Sequence, residues 1–211
     1  KQGGKCSYAL AELTDPEQGQ AAVEKAVASY GTVHGLVNNA GVNDGVGLEN
    51  GDVESFIDSL KKNVVHYFII AQACLPFIKD NKGSIVNIGS KVSLTGQGGT
   101  SGYAAACGAR NALTREWAIE LLPYSVRVNA VIVSESYTPL YEKWINTFPN
   151  PKEKLNQIES NIPLEKRMTT PEEIANTVAF LLSEKSSHTT GQLLFVDGGY
   201  VHLDRSINLS L

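Results

Sequence analysis

A parallel β-sheet covered by helices on both faces, a doubly wound α/β fold, is what this sequence predicts, and three observations carry the prediction. Apolar runs of strand length recur along the chain, amphipathic helical stretches separate them, and no repeat or low-complexity linker divides the whole. Strands that are apolar throughout have both faces buried, the mark of a parallel sheet sandwiched between helices. At 211 residues the chain is long enough for one domain with a substantial core and short for two. A single domain over 1–211 is expected.

The elements follow in order. "CSYALAEL" (Cys6 to Leu13) is a run of the buried-strand type. Asp15 then supplies an N-cap, Pro16 a first helical turn, and Gly31 a stop. Between them Ala22, Val23, Ala26 and Val27 recur at helical spacing. "VHGLVNNAG" reads as a second strand ending in amides and glycine. "DVESFIDSLKKNVVHYFIIAQACLPFIK" predicts one long helix with Phe56, Leu60, Val64 and Phe68 on a stripe, and "GSIVNIGS" a strand. Tyr103 to Leu122 predicts a helix, "VRVNAVIV" a strand, Thr170 with Pro171 the start of another helix, and "QLLFVDGG" the last strand.

Composition excludes several classes. A formal charge of −4 leaves no electrostatic footprint for nucleic acid or an anionic membrane. The longest apolar runs are shorter than a membrane span and no leader opens the chain, so a soluble, cytoplasmic protein is expected. Three cysteines (Cys6, Cys74 and Cys107) at wide spacing fit reduced thiols better than disulfides or a metal site.

In sheets of this kind ligands sit beyond the carboxyl ends of the strands. The residues there are Asn38 to Asp44, Gly89 to Gly99, Ser134 to Thr138 and Asp197 to Tyr200. Asn38, Asn39, Ala40 and Gly41 combine amides with close backbone approach, although an Asn-rich turn reads the same way. Ser90 ends a strand and Tyr103 begins a helix thirteen residues on. Such a hydroxyl pair, if it converges, can move a proton at a carbonyl or carbinol carbon. Asn63, inside an apolar helix, is either part of that machinery or a structural plug.

"NNAG", an Asn in the long helix, "IVNIGS", a Tyr thirteen residues past that Ser, "VRVNAV" and "TTGQLLFVDGG" stand in the order and spacing of one family. Over nearly its whole length the chain resembles the short-chain dehydrogenase/reductase family, with a Rossmann-like fold. "NAGVNDGVGLENG", "SKVSLTGQGGTSGY", "ALTREWA" and "TPLYEKWI" resemble its L-fucose dehydrogenase branch, which oxidises C1 of L-fucose and related sugars to a lactone. The resemblance implies that Tyr103 is the general acid/base, Ser90 the holder of the substrate oxygen and Asn63 the anchor of a relay water. It implies that Asn39, Ala40 and Gly41 line the cofactor cleft, that Thr138 reaches the nicotinamide carboxamide and that Glu12 touches the adenine. Gln97, Glu135 and Trp144 fall in loops expected over a sugar pocket. The cofactor is NAD or NADP, with NAD favoured by the branch, and the C-terminal stretch implies a homotetramer.

Two departures stand out. The family's lysine four residues after the tyrosine is here Cys107. Four residues share one helical face, and a cysteine there brings neither charge nor ribose contacts. Without the cation, the reactive phenolate should fall by about tenfold to a thousandfold. Lys91, beside Ser90, and Arg110, at i+3 from Cys107, are the cations nearest in sequence. A redox thiol and a small buried residue are the two readings of Cys107 itself. Second, the family's glycine-rich phosphate turn has no counterpart, "KQGGK" reading as the tail of a loop. The chain is therefore expected to be N-terminally truncated, missing the family's first β-α-β-α portion. These departures keep open a catalytically impaired homologue acting as a sugar-binding or oligomeric scaffold; a Rossmann-type methyltransferase would have no use for the Ser and Tyr pair.

Overall fold

The computed structural model describes residues 4–204. Four parallel strands form the sheet in sequence order: β1 (Gly35–Asn38), β2 (Ser84–Ser90), β3 (Arg127–Val133) and β4 (Leu193–Val196). The register aligns Asn38 with Asn87, Ser90 with Val133 and Val133 with Val196, so β2, β3 and β4 end together.

Helix α1 (Pro16–Tyr30) opens as expected, the Asp15 carboxylate accepting from the backbone N–H groups of Glu17 and Gln18. Gly31 closes it at φ +86°, a conformation that only glycine adopts without strain. α1 packs on α3 (His66–Asp80) and, with α5 (Ser101–Glu120), covers one sheet face. Val23, Tyr67, Ile78, Ile85, Trp117 and Val128 meet in that layer. Burying each aliphatic side chain there contributes about 1.5–3 kcal/mol. The opposite face is closed by α8 (Pro171–Leu182), whose Leu181 packs on Val86 and Val131. A reciprocal capping box, Thr170 with Glu173, starts α8.

Gly83 shows how tightly the turn into β2 is drawn. A Cβ there would lie 2.2 Å from the His34 carbonyl oxygen, next to the Ser84 N–H that bonds the same oxygen at 3.1 Å. No other side chain allows that approach.

Three expectations need correction. The run Cys6 to Leu13 forms no strand: it has no regular structure, and Tyr8 and Leu10 are 82% and 94% exposed. A strand exists only through a ladder to a neighbour, and the sheet does not pair with this segment. The long helix is interrupted: α2 (Val53–Leu60) passes into a π-helical turn, Lys61–Val65, before α3 begins. Finally, Trp144 stands on a helix and not in a loop: α6 (Pro139–Ile145) and α7 (Pro151–Ser160) fill the stretch between β3 and α8, and a one-turn helix α4 (Val92–Thr95) follows β2. Residues 205–211, part of the expected interface tail, lie outside the described residues. Among the described residues no helix is long and apolar enough to cross a membrane.

Candidate active site

The carboxyl ends of the strands open into a cleft of about 610 Å³. Asn39 and Gly41 after β1, Ser90 at the end of β2, Tyr103 and Arg110 on α5, and Thr138 after β3 all line it. Val37, Ile88 and Val133 from the sheet and Ile174, Val178 and Leu182 from α8 form its apolar wall.

Buried amides set the floor. The Asn38 amide donates to the Asn87 side-chain oxygen at 3.0 Å, Asn87 donates to the Thr114 hydroxyl at 3.0 Å, and Thr114 donates to the Arg110 carbonyl at 2.8 Å. This chain ties β1 and β2 to the face of α5 that carries Tyr103 and Arg110. Asn38, grouped with Asn39 in the sequence reading, is thus structural and buried.

Asn63 sits in the π-helical turn, fully buried. Its amide donates to the Ser59 carbonyl at 3.0 Å, and its side-chain oxygen accepts from Val42 N–H at 2.8 Å and from the Arg110 guanidinium at 3.2 Å. The Asn63 carbonyl accepts from Arg110 Nε, and a second guanidinium nitrogen donates to the Ile88 carbonyl at 3.3 Å. Both oxygens of Asn63 thus tie the π-helical turn to α5. A Cβ on Gly41 would lie 3.0 Å from the Asn63 side-chain oxygen, so that glycine keeps the chain close over Asn63.

Tyr103 stands one turn into α5, with the Arg110 guanidinium 5.7 Å from its ring centroid. Burial pushes its phenol above the ordinary value of 10.0 and Cys107 adds to this, while Arg110 and a hydrogen bond with Ser90 act the other way. Cys107 is fully buried, and burial pushes its thiol up. A protonated, inaccessible thiol is unsuited to redox chemistry, so the small buried residue is the reading that holds. Tyr67 lies against the other side of the guanidinium, 4.8 Å from ring centroid to Cζ, its phenol donating to the Ile88 carbonyl and pushed up to about 12 by burial.

The remaining sequence-predicted residues fall differently. Glu12 is exposed, with its carboxylate accepting from the Thr14 N–H and hydroxyl, away from the cleft. Ala40 is exposed beside Asn39. The Thr138 hydroxyl caps α6 by accepting from Tyr141 N–H at 3.2 Å. Gln97 is exposed in the loop before α5, and Trp144 on α6 is partly exposed, edge-on to Tyr141 and Phe148. Glu135 is ion-paired with Lys91, whose ammonium also lies 3.9 Å from the Tyr200 ring centroid. Lys91, Gln97, Glu135 and Trp144 are not among the residues lining the cleft.

Sequence reasoning missed two features. Ser134 and Ser136 line the cleft with buried hydroxyls that have no hydrogen-bond partner. Their signal was the place of Ser134 to Thr138 just beyond the carboxyl end of a strand. The depth of Arg110, 3% exposed, was signalled by its place on the buried stripe of α5 with Tyr103, Ala106 and Cys107.

A planar aromatic amide fits this cleft: the apolar wall suits its ring, and the two unpartnered hydroxyls suit its polar group. The residues present thus fit the nicotinamide end of a dinucleotide, which Thr138, Ser134 and Ser136 would hold. A parallel sheet with a serine and a half-buried tyrosine in the cleft at its strand ends, and a buried asparagine joined to them through Arg110, is the arrangement of a nicotinamide-dependent oxidoreductase.

Comparison with known proteins agrees. Residues 1–201 match the family model described as enoyl-(acyl carrier protein) reductase. The 3-oxoacyl-(acyl-carrier-protein) reductase FabG of Thermotoga maritima is 37% identical over 94% of this chain and 78% of its own length. The crystal structure of Cj0485 dehydrogenase is 50% identical, with a TM-score of 0.92 over 96% of this chain and 78% of that one. The ligand-free aldohexose dehydrogenase of Thermoplasma acidophilum is 28% identical, with a TM-score of 0.88 over 100% of this chain and 82% of that one. The chain belongs to the short-chain dehydrogenase/reductase family of NAD(P)-dependent oxidoreductases.

Proposed function

We propose that the protein oxidises C1 of L-fucose or a related aldose to the lactone, with NAD or NADP as oxidant. The pairing of Ser90 with Tyr103 in the cleft, with Asn63 buried behind them and tied in through Arg110, carries this reading. The Ser90 hydroxyl holds the C1 oxygen, and the Tyr103 phenolate removes its proton. Asn63 keeps the tyrosine's helix and the π-turn in register through Arg110. The cofactor, when bound, supplies the acceptor for the C1 hydride. NAD rests on the family branch alone. The sugar assignment is supported by the sequence segments from Asn39 to Gly51 and from Thr138 to Ile145, and by the likeness to an aldohexose dehydrogenase.

Cys107 stands, on this reading, where the family has its lysine. That substitution, with a phenol held above its ordinary range, favours the second reading: an impaired enzyme that binds sugar or serves as an oligomeric scaffold. A homotetramer is part of the proposal, supported by the exposed apolar side chains of Val65, Phe68, Ile119 and Leu122 on neighbouring helices. A cytoplasmic setting is supported by three free cysteines.

Calorimetry with NAD and with NADP, followed by turnover of L-fucose across neutral to alkaline pH, tests the assignment. Turnover that vanishes in Tyr103→Phe is expected. Cofactor binding with no oxidation of any aldose would refute it in favour of the scaffold.

A further inference from the structure

Arg110 is a buried cation without a counterion. It is 3% exposed, and among the described residues no carboxylate pairs with it. Burying a guanidinium costs several kcal/mol unless hydrogen bonds and an opposite charge compensate. Hydrogen bonds are present: the Asn63 carbonyl, the Asn63 side-chain oxygen and the Ile88 carbonyl take three of its five N–H groups. The opposite charge is missing from the protein's resting state.

The surroundings say where that charge forms. The guanidinium lines the cleft and faces the rings of Tyr67 and Tyr103. Tyr67 is spent on the Ile88 carbonyl, whereas Tyr103 lines the cleft. The other titratable groups packed around Arg110 stay neutral. Burial and Arg110 itself hold His66 on α3 below its usual 6.5, burial holds the Tyr67 phenol at about 12, and Cys107 on α5 is held protonated. Lys91, after β2, is closed on Glu135.

We propose that Arg110 is the positioning cation of this active site: locked to the π-turn by Asn63, it stabilises the Tyr103 phenolate in place of the lysine absent at position 107. The anchoring is what distinguishes it from a surface cation, because a planar fork held at three acceptors keeps its charge in one place. The substitution at 107 and the arginine at 110 then belong together, since a lysine at 107 and this guanidinium would compete for one pocket. The inference rests on the reading of Tyr103 as the proton acceptor, and its test reads the phenol itself, without any sugar.

3-Nitrotyrosine placed at position 103 by site-specific incorporation reports its own ionisation by visible absorbance, distinct from the other tyrosines. Its midpoint is measured in the parent chain and in Arg110→Gln, Arg110→Met and Arg110→Lys, each checked for an intact fold by circular dichroism. Loss of the charge in the Gln or Met variant is expected to raise the midpoint by about one to three pH units. Arg110→Lys, which keeps the charge, is expected to raise it by less than half as much. Unchanged midpoints in whichever neutral variant folds would overturn the proposal, as would an equal rise in Arg110→Lys. A shifted midpoint with no oxidation of aldoses would leave Arg110 in its role and remove the sugar assignment.

Discussion

Replacing Cys107 with lysine places a second cation beside Arg110, and the structure sets the penalty. Position 107 is fully buried and Arg110 lies one turn further on the same helix face. Two unit charges about 5 Å apart at an effective dielectric constant of about 20 repel by roughly 3 kcal/mol. Removing the ammonium from water adds to this. Cys107→Lys is therefore expected to lose about 3–5 kcal/mol of stability, which for a chain of this length lowers the thermal midpoint by about 6–20 °C. Adding Arg110→Leu removes the repulsion, so the double variant should be more stable than the sum of the single effects by roughly 3 kcal/mol. Urea denaturation of the four proteins, followed by the fluorescence of Trp117 and Trp144, closes the double-mutant cycle. A coupling energy within about 0.5 kcal/mol of zero would refute the reasoning, because independent sites add to that precision.

Other outcomes follow from the same geometry. Asn63→Leu strands the Val42 N–H, the Ser59 carbonyl and one Arg110 donor, and should cost about 3–5 kcal/mol by denaturation, against under about 1 for an exposed asparagine. Ser134→Ala and Ser136→Ala remove hydroxyls that have no partner in the protein, so thermal stability should hold or rise while NAD affinity by calorimetry falls by about fivefold each. A stability loss with unchanged affinity would show that these hydroxyls serve the fold. The Glu173 carboxyl is held at about 2 by Arg167 and the Thr170 N–H, below its ordinary 4.5. A carboxyl depressed in the folded state stabilises fully above the unfolded value and loses that contribution as pH falls from about 4.5 through 2. Glu173→Gln should flatten the acid limb of the stability profile in that window and leave neutral pH little changed in slope.

How much of this was legible beforehand differs from element to element. The caps Asp15 and Thr170, with a proline after each, placed α1 and α8 because capping is local chemistry between neighbours in sequence. β2 and β3 were legible because strands covered on both faces, five of seven residues buried in each, favour apolar runs. The segment from Cys6 to Leu13 has the same apolar look and forms no strand, since pairing depends on a neighbour that its own residues do not encode. The π-turn was equally hidden: Lys61 to Val65 carry a continuous helical pattern, and only the bonds from Val42 and α5 to Asn63 reveal its register.

By itself, the sequence determined the parallel α/β architecture through periodicity, and Ser90 at a strand end and Tyr103 at a helix start through spacing, while its ordered motifs carried the resemblance to the family. Only the tertiary structure decided which cation serves the site. Lys91 and Arg110 flank Tyr103 in sequence, but Glu135 draws Lys91 away and two carbonyls with the Asn63 side chain pull Arg110 in. Those partners come from β2, the π-turn and the loop after β3, segments that meet α5 only when the chain is folded. Long side chains take the direction of whatever satisfies their charge, and no spacing rule along a helix supplies that.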